Sequence, residues 1–318
     1  MTDTPMTSTP MTDTIAHVSL TQPVDTLAQE LGRSFSEFGF AVISDHGIDQ
    51  DLIARAERLS REFFALSEDT KRAYFIQNGG GARGYTPYRT EKAVGYDTTD
   101  LKEFWHVGRT LPDGDPLAEF MPANVWPDEL PEFREVYEAL YAEFDKAGLK
   151  ILSAIAIHLG LAPDWFDATV DQGNSVLRLL HYPPVENAEG AVRAAPHGDI
   201  NTITLLLGAE EAGLELLSQQ GEWIPVSPPP GALAVNIGDM LSRLTNDKLR
   251  STIHRVVNPK GAASRRSRFS MPFFLHFRPD FVIETLPQCV DAEHPDQYEP
   301  LSSHDFLMQR LREINLTK

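Results

Sequence analysis

The chain has 318 residues, of which 42% are hydrophobic and 23% charged, and its formal net charge is −18. This is an ordinary globular composition whose excess of acid is typical of a solvated surface, and it disfavours binding to a phosphate backbone, so we expect no nucleic-acid partner. The single cysteine, Cys289, excludes an internal disulfide, and no apolar run approaches the ~20 residues that span a bilayer, so we expect a cytoplasmic protein with no membrane partner.

The N-terminal half is predicted to be mainly helical. Residues 1–14 repeat a small, polar, proline-punctuated theme with little to bury, which predicts a disordered tail. Apolar residues at three- and four-residue spacing then predict helices from Val24 to about Glu37, from about Gln50 to Ala65, and from Pro131 to Leu161. A strand is expected at 40–46. We treat residues 15–165 as a mixed, mostly helical region.

The segment 78–100 differs in composition, because it is rich in glycine and threonine and its apolar residues show no clear periodicity. A loop of this length inside a compact domain is usually functional or mobile. The segment 101–109 that follows it could be a strand.

The predicted secondary structure changes from helices to strands at about residue 175, where short β-rich runs alternate with turn segments such as PPPG and NPKG. Strands at this spacing predict a sandwich or barrel. The predicted fold is therefore α+β, with a jelly-roll (double-stranded β-helix) core over residues 166–318 that includes a C-terminal helix. The helical region, 15–165, is expected to pack against this core.

Two short motifs carry the chemistry. His197 and Asp199 lie two residues apart at the expected start of a strand, so their side chains should share one face. His254, within a second strand pattern, offers a third ligand, and two histidines with one carboxylate form an iron site that leaves coordination positions open. Further on, Arg268 and Ser270 should also share a face and could bind a carboxylate.

In this order and spacing, the motifs resemble the isopenicillin N synthase-like branch of the 2-oxoglutarate/Fe(II)-dependent dioxygenases. The resemblance extends from about residue 15 to 285 and includes FGFAVISDHGID (38–49) and RLLHYPP (178–184). It implies that His197, Asp199 and His254 are the catalytic metal ligands. It also implies that Arg268, Ser270 and Tyr182 hold the remote carboxylate of 2-oxoglutarate. Plant members usually carry asparagine where this chain has Leu180.

The implied activity is oxidation of a small-molecule substrate with release of succinate and CO2, using Fe(II), 2-oxoglutarate and O2. Ascorbate is a candidate stimulant. Hydroxylation, desaturation and ring closure stay open, as do an oxidase that does not use 2-oxoglutarate, an ethylene-forming member, and a non-catalytic sensor on the same fold. Neither the prime substrate nor the oligomeric state follows from the sequence.

The resemblance also makes the segment 78–106 a candidate cover for the site, which would exclude water from the reaction. Two histidines outside this segment have expected positions as well. His181 should point away from Tyr182, to the opposite face of its strand, and His276 is expected to belong to the core. Five residues of the cover segment are candidates for substrate contact: Arg83, Tyr85, Phe104, Trp105 and His106.

Overall fold

The structure is a computed structural model that describes residues 14–77, 79, 81–91, 99–184, 193–208, 213–258 and 265–313. The predicted disordered tail lies outside the described residues, except for Thr14. Within the described ranges, no helix is long and apolar enough to cross a membrane.

Helices dominate the first half of the chain, as the apolar spacing predicts. The elements are β1 (Ala16–Ser19), α1 (Val24–Glu37), β2 (Phe40–Ser44), α2 (Gln50–Phe64), α3 (Glu68–Arg72), β3 (Gly84–Thr86), β4 (Glu103–Gly108), α4 (Phe133–His158) and α5 (Asp167–Val170). The three predicted helices and the strand at 40–46 are confirmed within a few residues at their ends.

Strands dominate the second half. The elements are β5 (Val176–Tyr182), β6 (Ala194–His197), β7 (Ile203–Leu207), β8 (Leu214–Leu217), β9 (Trp223–Pro225), β10 (Leu233–Ile237), α6 (Asp239–Leu244), β11 (His254–Val256), β12 (Arg268–Leu275), β13 (Val282–Ile283), β14 (Leu301–Ser302) and α7 (Ser303–Glu313). The predicted α+β class, the jelly-roll core and the C-terminal helix are confirmed.

Two sheets build the core. The larger has eight strands in the order β1-β2-β10-β7-β12-β5-β4-β3, and the smaller has four in the order β6-β11-β8-β9. The β1–β2 pair is parallel, whereas the other pairs of these sheets are antiparallel. Four strands of the large sheet, β1 to β4, come from the region before residue 165, so both halves of the chain build one sheet.

Side chains alternate between the two faces of the large sheet. On the outer face, Leu205 and Phe273 pack with Phe35 of α1, Phe63 of α2 and Phe144 of α4 in one continuous apolar core. A second apolar cluster, which includes Phe40, Leu216 and Val256, fills one end of the space between the two sheets. The rest of that space carries polar side chains, and these form the candidate site.

Two local predictions are wrong. The segment 78–100 is not loop throughout its described part, because Gly84–Thr86 pairs with β4 and extends the large sheet. His197 and Asp199 do not lie at the start of one strand either, because β6 ends at His197 and β7 begins only at Ile203. Asp199 therefore lies in a connection between strands.

Candidate functional site

The two histidines of the predicted triad face each other across a strand pair. His197 ends β6, His254 begins β11, and the two residues are directly paired in the antiparallel register. Their ring centroids are 4.5 Å apart. Asp199 Oδ1 lies 4.0 Å from His197 Nε2 and 3.9 Å from His254 Nε2. One ligand atom from each residue falls within 4.8 Å of the others, and the described part of the chain holds no second group of this kind.

The reason for this convergence differs from the prediction. A shared strand face cannot align His197 with Asp199, because Asp199 lies beyond the end of β6. Its position is set instead by the connection between β6 and β7, which is anchored where the backbone N–H of Asp239, at the start of α6, donates to the carbonyl oxygen of Asp199 at 2.8 Å. Pairing of β6 with β11 joins the histidines, and this anchored connection brings the carboxylate to them.

Hydrogen bonds to the far side of each ligand fix its orientation. His197 Nδ1 lies 2.8 Å from the carbonyl oxygen of Ala195, and His254 Nδ1 lies 3.1 Å from that of Thr252. When each Nδ1 donates to its carbonyl, each Nε2 keeps its lone pair for a metal ion.

The carboxylate is held in the same way. Asp199 Oδ2 accepts hydrogen bonds from Thr204 Oγ1 at 2.6 Å and from Asn236 Nδ2 at 2.8 Å. Thr204 and Asn236 belong to β7 and β10 of the large sheet. These bonds turn Oδ1 toward the histidines and leave it available as a ligand.

The protonation states also suit a metal ion. Burial, followed by the neighbouring His254, lowers the pKa of His197 to about 4. Burial alone would raise the pKa of Asp199, but the two histidines and the bonds from Asn236 and Thr204 outweigh it and hold that pKa below its ordinary value. A neutral imidazole and an ionised carboxylate are the forms that bind a divalent ion.

Arg268 is the second feature of the site. The side chain is 1% exposed, and its Nη1 donates to Ser270 Oγ at 3.3 Å. Its Nε and Nη2 have no hydrogen-bond partner among the described residues. Because buried donors are rarely left unpaired, these two atoms fit a bidentate carboxylate. Arg268 pairs in register with Tyr182, whose ring lies 5.2 Å from the guanidinium carbon.

Leu180 lies next to this pocket on the same strand as Tyr182. It packs with Tyr182 and Phe104 in a small buried apolar cluster. Its side chain offers no polar atom, so the amide contact usual in plant members is absent from this position. The wall beside Arg268 is therefore apolar.

Strand alternation divides four of the five candidates for substrate contact, and Arg83 lies just before β3. Phe104 and His106 of β4 point between the sheets with Leu180 and Arg178, their register partners. Tyr85 and Trp105 point to the helices, so their prediction is wrong: Tyr85 Oη donates to Glu103 Oε2 at 2.5 Å, and the Trp105 ring packs against Phe63.

His181 also lies on the helix side, as predicted, with Nδ1 2.7 Å from Glu103 Oε1. His276 differs from its prediction. Although buried, it follows Phe274 by two residues on the inner face of β12 and its extension, and the charge of Asp199 acts on its pKa. His276 therefore borders the site and does not belong to the apolar core.

A buried ionic network that the sequence analysis missed connects the cover segment to the site. Glu91 lies 3.2 Å from Arg178 Nη2 and 2.8 Å from Lys102 Nζ, and Lys102 Nζ also lies 2.8 Å from Asp100. Asp100 in turn accepts a bond from the backbone N–H of Ala195, on the strand that carries His197.

The charges of this network favour the ionised form of Glu91. Burial would raise the pKa of Glu91, but Arg178 and Lys102 outweigh it and hold the pKa well below its ordinary value. Strand alternation could have found one member, because Arg178 lies two and four residues before Leu180 and Tyr182 and so shares their face. Glu91 carries no such signal, since it lies outside any strand.

Comparison with known proteins identifies two family models in the chain. Residues 13–129 match the N-terminal region described as "non-haem dioxygenase in morphine synthesis", and residues 173–277 match the 2OG-Fe(II) oxygenase superfamily. A 2-oxoglutarate-Fe(II) type oxidoreductase, hxnY, from Emericella nidulans is 32% identical over 292 residues, which cover 88% of this chain and 82% of that protein.

Solved structures agree with the family models. A 2OG-Fe(II) oxygenase family protein from Caulobacter crescentus is 52% identical with a TM-score of 0.89, covering 95% of this chain and 100% of that one. T7H from Neurospora crassa, crystallised with alpha-KG and thymine, is 29% identical with a TM-score of 0.82, covering 94% of this chain and 96% of that one.

Proposed function

Because the chain belongs to the 2OG-Fe(II) oxygenase superfamily, we propose that His197, Asp199 and His254 hold Fe(II) while the enzyme oxidises a small organic substrate. We propose further that Arg268, Ser270 and Tyr182 hold the carboxylate of 2-oxoglutarate that is remote from the metal. The observation that carries the proposal is the pairing of a three-ligand cluster with a buried arginine that keeps two donors available nearby.

Bound together, Fe(II) and 2-oxoglutarate supply the activation of dioxygen that couples oxidation of the substrate to formation of succinate and CO2. The protein's own residues supply position and shielding. Hydrogen bonds from Thr204 and Asn236 keep Asp199 Oδ1 directed at the metal position. Arg268 fixes the far end of the co-substrate, and the apolar wall of Phe104, Leu180 and Tyr182 keeps water from its flank.

The buried donors of Arg268 call for a carboxylate partner, and 2-oxoglutarate supplies one in every turnover. We leave the choice among hydroxylation, desaturation and ring closure to experiment. The cytoplasmic location expected from the sequence stays a prediction.

The test is anaerobic reconstitution of the purified protein with Fe(II) and 2-oxoglutarate, followed by exposure to O2 and a screen of small metabolites for stimulated succinate release. We expect Fe(II)-dependent succinate formation that at least one metabolite accelerates. Protein that binds neither the metal nor 2-oxoglutarate would contradict the proposal.

A further inference from the structure

The space between the sheets contains a buried arginine that the proposed function does not use. Arg83 is 3% exposed, and its guanidinium lies against β4, because a Cβ atom added to Gly108 would lie 1.9 Å from Arg83 Cζ. Gly108 alternates with Phe104 and His106, so the missing side chain would point between the sheets. The guanidinium of Arg83 therefore takes up interior space.

Within the described ranges, the charge of Arg83 has no counter-charge. Its Nη1 donates to the carbonyl oxygen of Ala82 at 2.7 Å, but its Nε and Nη2 find no partner among the described residues. Burial lowers the pKa of Arg83, yet an arginine stays protonated in proteins. The neighbouring interior cations differ, because Arg178 and Lys102 both pair with Glu91.

Arg83 lies within a small molecule's length of the metal position. Gly108 pairs with Val176, and Phe274 pairs with both Val176 and Thr204, the residue that donates to Asp199. Three strand spacings of ~4.8 Å give a path on the order of 14 Å along the sheet.

His276 feels the charges near both positions. Burial, in the first place, lowers its pKa to about 4, and the charges of Asp199 and Arg83 both act on it. Its Nδ1 lies 3.0 Å from the carbonyl oxygen of Phe274, so a neutral His276 presents Nε2 to the interior as an acceptor. It cannot serve as the counter-charge of Arg83.

The co-substrate cannot neutralise Arg83 while it is bound to Arg268. Arg268 begins β12, and Phe274, which lies in the strand row of Gly108, follows six residues later. In the proposed function, one carboxylate of 2-oxoglutarate is held by Arg268 and the other faces the metal, so neither is left for Arg83. Arg268 and Arg83 thus place guanidinium groups at opposite ends of β12, and 2-oxoglutarate accounts for the first of them.

We propose that Arg83 binds an anionic oxygen group of the prime substrate, most simply a carboxylate, at the end remote from the oxidised carbon. The inference rests on the proposed function and deepens it, since it assigns the substrate to the class of organic acids. A buried cation that lies on the order of 14 Å from the metal position, with two donors that have no partner among the described residues, is suited to such a ligand.

The test uses the full chain loaded with Mn(II) and 2-oxoglutarate, so that no turnover occurs. Calorimetry would compare straight-chain monocarboxylates from butanoate to decanoate with their uncharged primary amides. We expect at least one acid to bind tenfold or more tightly than its amide. Arg83→Gln should abolish this preference without changing the affinity for 2-oxoglutarate.

Two further variants separate charge from structure. Arg89→Gln, in the same segment but exposed, makes the same charge change and should keep the preference. Gly108→Ala keeps the arginine but displaces its guanidinium, and it should weaken the preference as Arg83→Gln does. Metal-free Arg83→Gln should melt no lower than wild type, because the variant removes an unpaired buried charge.

Each outcome decides the inference. Equal binding of acids and amides, no acid binding at all, or a preference that survives Arg83→Gln would overturn it. A clear drop in the melting temperature of Arg83→Gln would show a structural role instead. The affinity for 2-oxoglutarate is measured first: if Mn(II)-dependent binding of 2-oxoglutarate is absent, the proposed function itself fails.

Discussion

At the residue scale, the geometry of the proposed metal site depends on groups outside the three ligands. Asp199 keeps Oδ1 available for a metal ion because Thr204 and Asn236 bind Oδ2. The histidines depend on backbone carbonyls in the same way. Such bonds fix ring and carboxylate orientation, and their loss usually weakens metal affinity.

Asp199→Ala should abolish Fe(II)-dependent succinate formation and leave the fold intact, because two imidazoles alone retain Fe(II) poorly. The substitution leaves two buried donors without their acceptor, at a cost of ~1–3 kcal/mol each, but it also removes a buried charge from the metal-free protein. We therefore expect the melting temperature of the metal-free variant to change by a few degrees only, measured by calorimetry.

The matched control is Asp280→Ala, which removes an exposed carboxylate paired with Arg278 and should keep activity. Full succinate formation by Asp199→Ala would refute the assignment of the ligand. A collapse of its metal-free melting transition would refute the separation of site from fold.

Arg268→Lys should weaken 2-oxoglutarate binding far more than metal binding. Lysine keeps the charge but cannot make the planar two-point contact with a carboxylate. Loss of one charge-assisted bond costs ~1.5–3 kcal/mol, which corresponds to a ten- to hundredfold weaker affinity. Calorimetric titration of the Mn(II)-loaded variant measures this, and an affinity equal to wild type would show that the carboxylate binds elsewhere.

Sequence reasoning singled out these residues from two short motifs and from their order along the chain, but it misjudged how His197 and Asp199 meet. The two-residue step between them suggested one strand face, whereas a connection anchored by α6 sets the geometry. Glu91 and Arg178 were missed because their contact joins a loop to a strand 87 positions away. Such pairs depend on sheet register, which no local pattern encodes.

At the scale of elements, the two faces of β4 have different roles. Inward, Phe104 and His106 line the site; outward, Glu103 receives bonds from three elements. Glu103 contacts Lys71 Nζ at 2.7 Å, Tyr85 Oη at 2.5 Å and His181 Nδ1 at 2.7 Å. This cluster fixes α3, β3 and β5 to β4.

Glu103→Ala should therefore destabilise the protein by ~3–5 kcal/mol, since it removes the buried carboxylate that pairs with Lys71 and leaves only the exposed Glu68, at 3.4 Å, as its partner. Burial would raise the pKa of Glu103, but bonds from His181, Lys71 and Tyr85 hold it below its ordinary value. The stabilisation is thus complete above the ordinary glutamate pKa of ~4.3 and is lost as the pH falls through the lower, folded value. Urea unfolding at pH 7 and below pH 4 would measure both effects.

The control is Glu103→Gln, which keeps the shape and removes the titration. Its unfolding free energy should lack the component that wild type loses at low pH. Equal stability of wild type and Glu103→Ala at pH 7 would contradict the role given to this cluster.

The cover over the site stays a prediction, and residues 92–98, its central part, lie outside the described residues. Its described flanks are tied to each other: the Arg89 N–H donates to the Lys102 carbonyl at 3.3 Å and the Asp100 N–H to the Glu91 carbonyl at 3.0 Å. We expect hydrogen exchange at these two amides to slow when Mn(II) and 2-oxoglutarate bind.

Glu91→Gln weakens the ion pairs with Arg178 and Lys102 and should speed exchange at the same two amides. Exchange rates that change neither on ligand binding nor with this substitution would contradict the cover hypothesis.

Periodicity predicted the long helices because a helix repeats its pattern over many turns. Three-residue β3 within the cover and four-residue β6 are too short for such a signal.

At the scale of the whole molecule, the region 15–165 and the region 166–318 share one core. The outer faces of β5, β7 and β12 are covered by α1, α2 and α4, and β2 and β4 continue the large sheet on both sides. Composition and strand spacing predicted both architectures, but they could not show that strands from the first region complete the sheet of the second.

The last prediction follows from this shared core: residues 166–318 produced alone should not fold. Without the helices, Leu177, Leu179, Leu205 and Phe273, each 0% exposed in the full chain, would face water. Burial of each is worth ~1.5–3 kcal/mol, so these four alone match the ~5–15 kcal/mol that holds a typical domain together. The Phe144 ring, which stacks on Phe273 at 5.3 Å, would be lost with α4.

We expect the fragment to show no cooperative thermal transition, to bind a hydrophobic dye, and to bind no 2-oxoglutarate in the presence of Mn(II), although it retains all six proposed site residues. The full chain should unfold in one transition under the same conditions. Co-expression with residues 1–165 is the matched control, because it restores the missing strands and helices without a covalent link. A fragment that melts cooperatively and binds 2-oxoglutarate by itself would show that the jelly roll is an independent domain, and that it does not need the helices in order to fold.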